Sequence, residues 1–196
     1  MKIAILILAA GSSTRMKTAK QLLPVGDTTL LGITIKNALN SEANHSYCIL
    51  GANSNAISTS ISKFEIEIIL NSNYKSGLSS SIVTGIQHLL NKNFDAVLIL
   101  LGDQPNISTS DINTMIATFR KHQNKIIASN YEGTFGVPAL IPKDHFKRLL
   151  ELKGDKGAKD FLNSGNVEVI ISETTNLMDI DTKKDYEQYI NSTNSE

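Results

Sequence analysis

The sequence contains one cysteine in 196 residues. A lone Cys48 excludes an intrachain disulfide and a thiolate metal cluster. It lies in the apolar run Tyr47 to Leu50, where a small buried side chain is expected rather than a nucleophile. Surplus charge is lacking too: 19 basic residues balance 19 acidic ones. No broad basic surface is available to wrap nucleic acid, so local clusters must hold any anionic ligand. The histidines His45, His88, His122 and His145 form no i,i+4 pair, which argues against a histidine-built metal site. No apolar run approaches the roughly 20 residues that span a bilayer, and Ile3 to Leu8 is too short, and lacks the basic leader, for a secretory signal. A cytoplasmic protein without nucleic-acid or membrane partners is expected. The P-loop pattern G-x-x-x-x-G-K-[ST] and the dinucleotide pattern G-x-G-x-x-G are both missing, and the latter absence counts against a nicotinamide oxidoreductase.

What is present is an alternation of short apolar runs with helix-compatible stretches. Ile3 to Leu8, Tyr47 to Leu50, Ile66 to Leu70, Ala96 to Leu101 and Ile126 to Ser129 read as strands. Leu30 to Leu39, Ser54 to Ser62, Ser80 to Leu90 and Ser110 to Lys121 read as helices between them. The spacing predicts an α/β protein with a mostly parallel sheet covered on both faces. From Tyr131 a turn-rich segment with Gly133, Gly136 and Pro138 intervenes, followed by helical candidates at Asp144 to Leu152 and Lys156 to Leu162, a last apolar run at Val167 to Ile171 and a terminal helix ending near Ile190. One domain over residues 1–190 and a polar tail over 191–196 are expected.

Ligands of parallel sheets bind beyond the carboxyl ends of the strands, and the chemistry-bearing residues cluster there. The first strand empties into Leu8-Ala9-Ala10-Gly11-Ser12-Ser13-Thr14-Arg15-Met16, with Lys20 four residues on. Small side chains leave backbone N–H groups open to close approach by phosphates. Arg15 supplies a planar fork and Lys20 a mobile point charge. A strand-to-helix turn with two solvated cations is the competing reading. Asp103, in Leu101-Gly102-Asp103-Gln104-Pro105, emerges at the end of the strongest apolar run; it suits a hard divalent ion, or else serves only as a turn residue before Pro105. In Asp179-Ile180-Asp181, an extended backbone puts both carboxylates on one face with Ile180 opposite. Asp181 could equally cap the terminal helix. Gly77-Leu78-Ser79-Ser80-Ser81 runs into a helix start, where N–H groups and hydroxyls can read an anion or a base edge; one serine cap would not account for three serines.

The loop from Leu8 to Lys20 resembles the L-A-A-G-x-S-x-R-M-(x)n-K loop of nucleotidyltransferases with a glycosyltransferase-A-like Rossmann fold, in particular the MobA-like molybdenum cofactor cytidylyltransferases and guanylyltransferases. Matches recur in order over nearly all of residues 1–188. Leu101 to Pro105 is similar to the family's L-G-D-x-P metal motif, Gly77 to Ser81 to its G-[ML]-S-S-S segment, Asp179 to Asp185 to D-[IV]-D-T-P-E-D with Lys183 replacing proline, and Gly154 to Ala158 to G-D-[KR]-G-A. Gly136-Val137-Pro138-Ala139-Leu140 is similar to G-[HN]-P-x-L, with Val137 at the position usually polar, which leaves the acceptor open.

The resemblance implies a three-layer Rossmann-like fold and Mg²⁺-dependent transfer of CMP from CTP to molybdopterin, releasing pyrophosphate. It implies Lys20, Arg15 and Asp103 as catalytic residues. Nucleotide binding would fall to Leu8, Ala9, Ala10, Gly11, Ser12, Ser13, Arg15, Lys20, Gly77, Ser79, Ser80 and Asp103. Asp103 and Asp181 would hold the metal with Asp179 in support, and Gly136, Pro138 and Lys156 would meet the acceptor. Ala10 points to CTP, since the guanylyltransferase branch typically carries glycine there. A transient contact with a molybdoenzyme or its chaperone is implied as well. The rival readings are a cytidylyl- or guanylyltransferase for another phosphorylated small acceptor, and a non-catalytic nucleotide-binding module for cofactor delivery.

Overall fold

Every residue of the first strand is buried, and its side chains divide by period two between the faces of a sheet. Ile3, Ile5, Ile7 and Ala9 join Leu31, Ile35, Met115 and Ile116 on one face. Ala4, Leu6 and Leu8 join Ile82, Ile86 and Leu89 on the other. An unbroken apolar run is the signature of a strand covered twice, and it makes β1 (Ile3–Ala9) the centre of the molecule. The computed structural model describes residues 1–13, 16, 18–172 and 177–193.

In chain order the other elements are β2 (Pro24–Val25), β3 (Thr28–Thr29), α1 (Leu30–Leu39), β4 (His45–Leu50), α2 (Ser54–Ser60), β5 (Glu67–Leu70), α3 (Leu78–Leu89), β6 (Ala96–Leu101), α4 (Thr109–Lys121), β7 (Ile126–Tyr131), β8 (Thr134–Pro142), α5 (Phe146–Leu149), α6 (Lys159–Leu162), β9 (Val169–Ile171) and α7 (Lys183–Thr193). The seven-stranded sheet runs β5-β4-β1-β6-β8-β7-β9, and β2 and β3 form a separate hairpin. β1 pairs in parallel with both β4 and β6, so the ends of β1 and β6 lie side by side. Gly102 N–H extends that ladder to Leu8 O at 3.0 Å. The two loops that follow these strands are thereby held next to each other.

The turn-rich reading after Tyr131 is corrected: Thr134–Pro142 is a nine-residue strand, antiparallel to both β6 and β7. Glu132 and Gly133 both take positive φ in the hairpin turn that joins β7 to β8. The glycine and proline within β8 disguise it in sequence. Pro138 falls where the β7–β8 register shifts between Ala128 and Ser129, and a bulge tolerates a residue with no N–H to give.

Candidate active site

Gln21 builds the first wall of the site. It is 3% exposed, and its Nε2 donates to the carbonyls of Ala9 at 3.0 Å and Gly11 at 2.9 Å. Ser13, in the left-handed region at φ 52°, donates from Oγ to Gln21 Oε1 at 3.3 Å and accepts from Lys20 N–H at 3.1 Å. The loop after β1 is therefore tied to the 3₁₀ turn Lys20–Leu22 by side chains. Nothing in the sequence motif marks Gln21; its neighbour Lys20 drew the reading. Arg15 lies outside the described residues.

Around this loop opens a cleft of about 480 Å³, lined by Leu8, Ala9, Ala10, Gly11, Ser12, Lys20 and Gln21 from one side. Tyr74, Lys75, Gly77, Leu78, Ser81, Leu101, Gly102, Asp103 and Asp155 complete it. A Cβ on Gly11 would meet no protein atom within 4 Å, so any side chain there would enter the cleft instead. Gly77, at φ 95°, packs against Gly154 and Asp155 so closely that a Cβ would collide with both. That contact brings the 154–158 segment to the mouth of α3, where Ser79 N–H donates to Gly154 O at 3.0 Å.

The serines of α3 need correction. Ser79 is fully buried with its Oγ directed at Gly157 O, 3.4 Å away, and Ser80 Oγ donates to Gly77 O at 2.7 Å. Ser81, which is not among the nucleotide contacts the resemblance implies, lines the cleft and accepts from Asn71 Nδ2 at 3.1 Å. The helix begins at Leu78, two residues earlier than its sequence suggested, and each residue of offset rotates a side chain by about 100°.

Asp103 follows β6, and its carbonyl accepts from Ile180 N–H at 3.0 Å. Ile180 is fully buried beside Val25, Leu30 and Tyr189, so α7 and the β2–β3 hairpin anchor the 179–181 segment over the site. Lys20 Nζ then bridges two carboxylates, with one contact to Asp103 Oδ2 and another to Asp181 Oδ1 at 2.9 Å. Burial works against the ammonium form of Lys20, yet Asp103 and Asp181 raise its pKa above the ordinary lysine value. The helix cap that competed for Asp181 goes to Thr182. Its Oγ1 accepts from Asp185 N–H at 3.2 Å, and Asp185 Oδ2 accepts from Thr182 N–H at 2.8 Å.

Asp179 turns the other way. Its Oδ1 accepts from Gln104 Nε2 at 2.8 Å, and the same amide donates to Tyr131 OH at 2.8 Å. Tyr131 OH in turn donates to Val137 O. Burial, then the nearby Asp103 carboxylate, pushes the Asp179 pKa up, and burial pushes that of Tyr131 up to about 12. Tyr131 and Asp179 belong to a second cavity of about 240 Å³, with Leu8, Leu78, Ile82, Leu101, Phe135, Gly136, Val137, Lys156 and Lys159 among its walls. It shares Leu8, Leu78 and Leu101 with the first. Gly136 and Lys156 thus reach a common cavity, whereas Pro138 is buried and gives its carbonyl to Ser129 Oγ at 3.1 Å.

Among the described residues no cluster of three or more His, Cys, Asp or Glu side chains is placed to hold a metal ion. A hard divalent ion needs only one or two protein carboxylates when phosphate oxygens and waters complete its shell. Asp103 Oδ1 is buried without a hydrogen-bond partner, an expensive condition for a carboxylate oxygen unless a cation compensates it. Asp103 and Asp181 therefore fit such an ion.

The chain belongs to the MobA-like NTP transferase domain family, whose profile matches residues 5–169. It is 26% identical over 194 residues to purine catabolism protein PucB of Bacillus subtilis, covering 92% of each chain. The crystal structure of an Rv0371c homologue from Mycobacterium sp. strain JC1 superposes with a TM-score of 0.87 at 31% identity, covering 100% of this chain and 99% of that one. Rv0371c of Mycobacterium tuberculosis in complex with manganese superposes with a TM-score of 0.81 at 24% identity, covering 98% and 100%. Among the described residues no helix is long and apolar enough to cross a membrane.

Proposed function

We propose that this chain transfers CMP from CTP to molybdopterin and releases pyrophosphate, with Mg²⁺ or a similar divalent ion held by Asp103 and Asp181. The observation that carries the reading is the convergence of Lys20, Asp103 and Asp181 at the cleft floored by Ala10 and Gly11. Nucleotidyl transfer needs charge neutralisation and in-line positioning more than a side-chain nucleophile. The ion, when bound with the triphosphate, neutralises phosphate charge and polarises the phosphoryl oxygens.

The chain's own residues have separate tasks. The 8–13 loop, braced by Gln21, receives the phosphates, while Gly77 and Ser81 border the nucleotide from the α3 side. Lys20 meets charge developing at the α-phosphate. The second cavity takes the acceptor: its apolar walls at Leu78, Ile82, Leu101, Phe135 and Val137 favour a flat ring system over a polyol or sugar. Lys156 and Lys159 on its wall suit the acceptor's phosphate.

Pyrophosphate release, measured with molybdopterin, Mg²⁺ and each of the four triphosphates in turn, tests this reading. CTP is expected to be preferred. Equal or faster release with GTP would overturn the base assignment, and release only with another phosphorylated acceptor would overturn molybdopterin.

A further inference from the structure

The chain's own ammonium sits on the two carboxylates that fit a divalent ion. Lys20 and Asp103 side chains are each 17% exposed, and Lys20 Nζ touches Asp103 Oδ2 while lying 2.9 Å from Asp181 Oδ1. The ammonium holds Asp103 Oδ2 and Asp181 Oδ1, so a divalent ion on the neighbouring Asp103 Oδ1 would lie beside it, and two cations side by side repel one another. Building on the nucleotidyltransferase reading, we propose that Lys20 is an internal counter-ion: it keeps divalent metal off the Asp103–Asp181 pair until a triphosphate draws the ammonium away.

Two features make this exchange possible. The backbone of Lys20 is pinned, its N–H donating to Ser13 Oγ at 3.1 Å, and the ammonium is carried on a four-carbon stem with several rotatable bonds. Lys20 also borders the same cleft as Ala10, Gly11 and Ser12, so phosphates received by that loop lie on the side toward which the stem can turn. The charges point the same way. The ammonium offsets part of the negative charge that Asp103 and Asp181, with Asp179 nearby, concentrate here, which weakens the attraction for a metal ion arriving alone. A triphosphate gives the ammonium new anionic partners and withdraws its charge from both carboxylates. Metal and nucleotide then strengthen each other's binding by the same factor, as linkage requires.

Mn²⁺ alone is the probe, titrated into the full chain and followed by loss of its free-ion EPR signal. Lys20→Met is expected to bind Mn²⁺ about tenfold or more tightly than the wild type, and Lys20→Arg, which keeps a cation, to stay near the wild type. Asp103→Asn added to Lys20→Met should abolish the gain. Lys20→Gln gives the same comparison should Lys20→Met misfold by circular dichroism. Equal affinity in wild type and Lys20→Met, lost on Asp103→Asn, would overturn the role of the lysine while leaving the metal assignment standing. Binding indifferent to Asp103 would overturn the metal assignment itself.

Discussion

Gln21 holds the carbonyls of Ala9 and Gly11 with the two hydrogens of one amide, and no other side-chain donor to them is seen among the described residues. Gln21→Leu should cost about 1–3 kcal/mol of stability, since it removes both hydrogen bonds, one of them to the buried Ala9 carbonyl. It should also weaken CTP binding several-fold because the phosphate loop loses its brace; denaturant melts and CTP titration check the two effects, and unchanged affinity would contradict the bracing role. Asp103→Asn should abolish turnover while circular dichroism stays that of the wild type, because its carboxylate serves cations and not the core. Cys48 is fully buried and its thiol is pushed up to about 12 by that burial. A thiol reagent such as DTNB should therefore label it only after unfolding; rapid labelling of the native protein would contradict its place in the core. Asp103 was legible because it ends an apolar run, Lys20 because it follows a small-residue loop as a lone point charge, and Asp179 with Asp181 because of their period-two spacing. The serines were not, because assigning a face requires the helix start to the residue, and Gly77 with its positive φ puts that start at Leu78. Gln21 was invisible because nothing in an amide's sequence position tells which distant carbonyls it will meet.

The strand that sequence concealed, β8, supplies a wall of the second cavity, proposed here to take the acceptor, and Gln104 ties it to the rest of the site. Its amide joins Asp179 to Tyr131, and Tyr131 holds Val137. Gln104→Met keeps the volume and removes both donors, so it should raise the acceptor KM more than the CTP KM, with Tyr131→Phe giving the same pattern. Steady-state kinetics with each substrate varied decides this; equal changes in both KM values would reduce Gln104 to a general packing role. α7 contributes by anchorage: Ile180 is buried and Tyr186 OH donates to Pro24 O at 2.6 Å. Ile180→Ala should destabilise by about 2–5 kcal/mol and raise the Mg²⁺ concentration for half-maximal activity, since Asp181 rides on the same segment. Elements with one unbroken period were readable, as in Ala96–Leu101 and Leu30–Leu39, whose sequence boundaries coincide with the structural ones. β8 was not, because a bulge that accommodates proline breaks the alternation that identifies a strand.

Across the whole molecule, the parallel order β4-β1-β6 puts the 8–13 loop and Asp103 on neighbouring strand ends, and the antiparallel return through β8 and β7 places the second cavity beside them. Two cavities with a shared apolar boundary at Leu8, Leu78 and Leu101 suit a reaction that joins two substrates. The parallel part of this arrangement could be anticipated in outline from alternating strands and helices, whereas the antiparallel return through β8 could not. The contact between residues 154–158 and the start of α3 could not, because it depends on a close backbone approach at Gly77. The central claim is that the bond broken lies between the α- and β-phosphates and that the nucleotidyl group ends on the acceptor. Incubation with molybdopterin, Mg²⁺ and CTP labelled at the α-phosphate tests it most directly. The account predicts label in a molybdopterin–cytidine product with one pyrophosphate per transfer, and none of it in the Asp103→Asn variant; release of inorganic phosphate from the γ-position, with the label remaining in CDP, would contradict it.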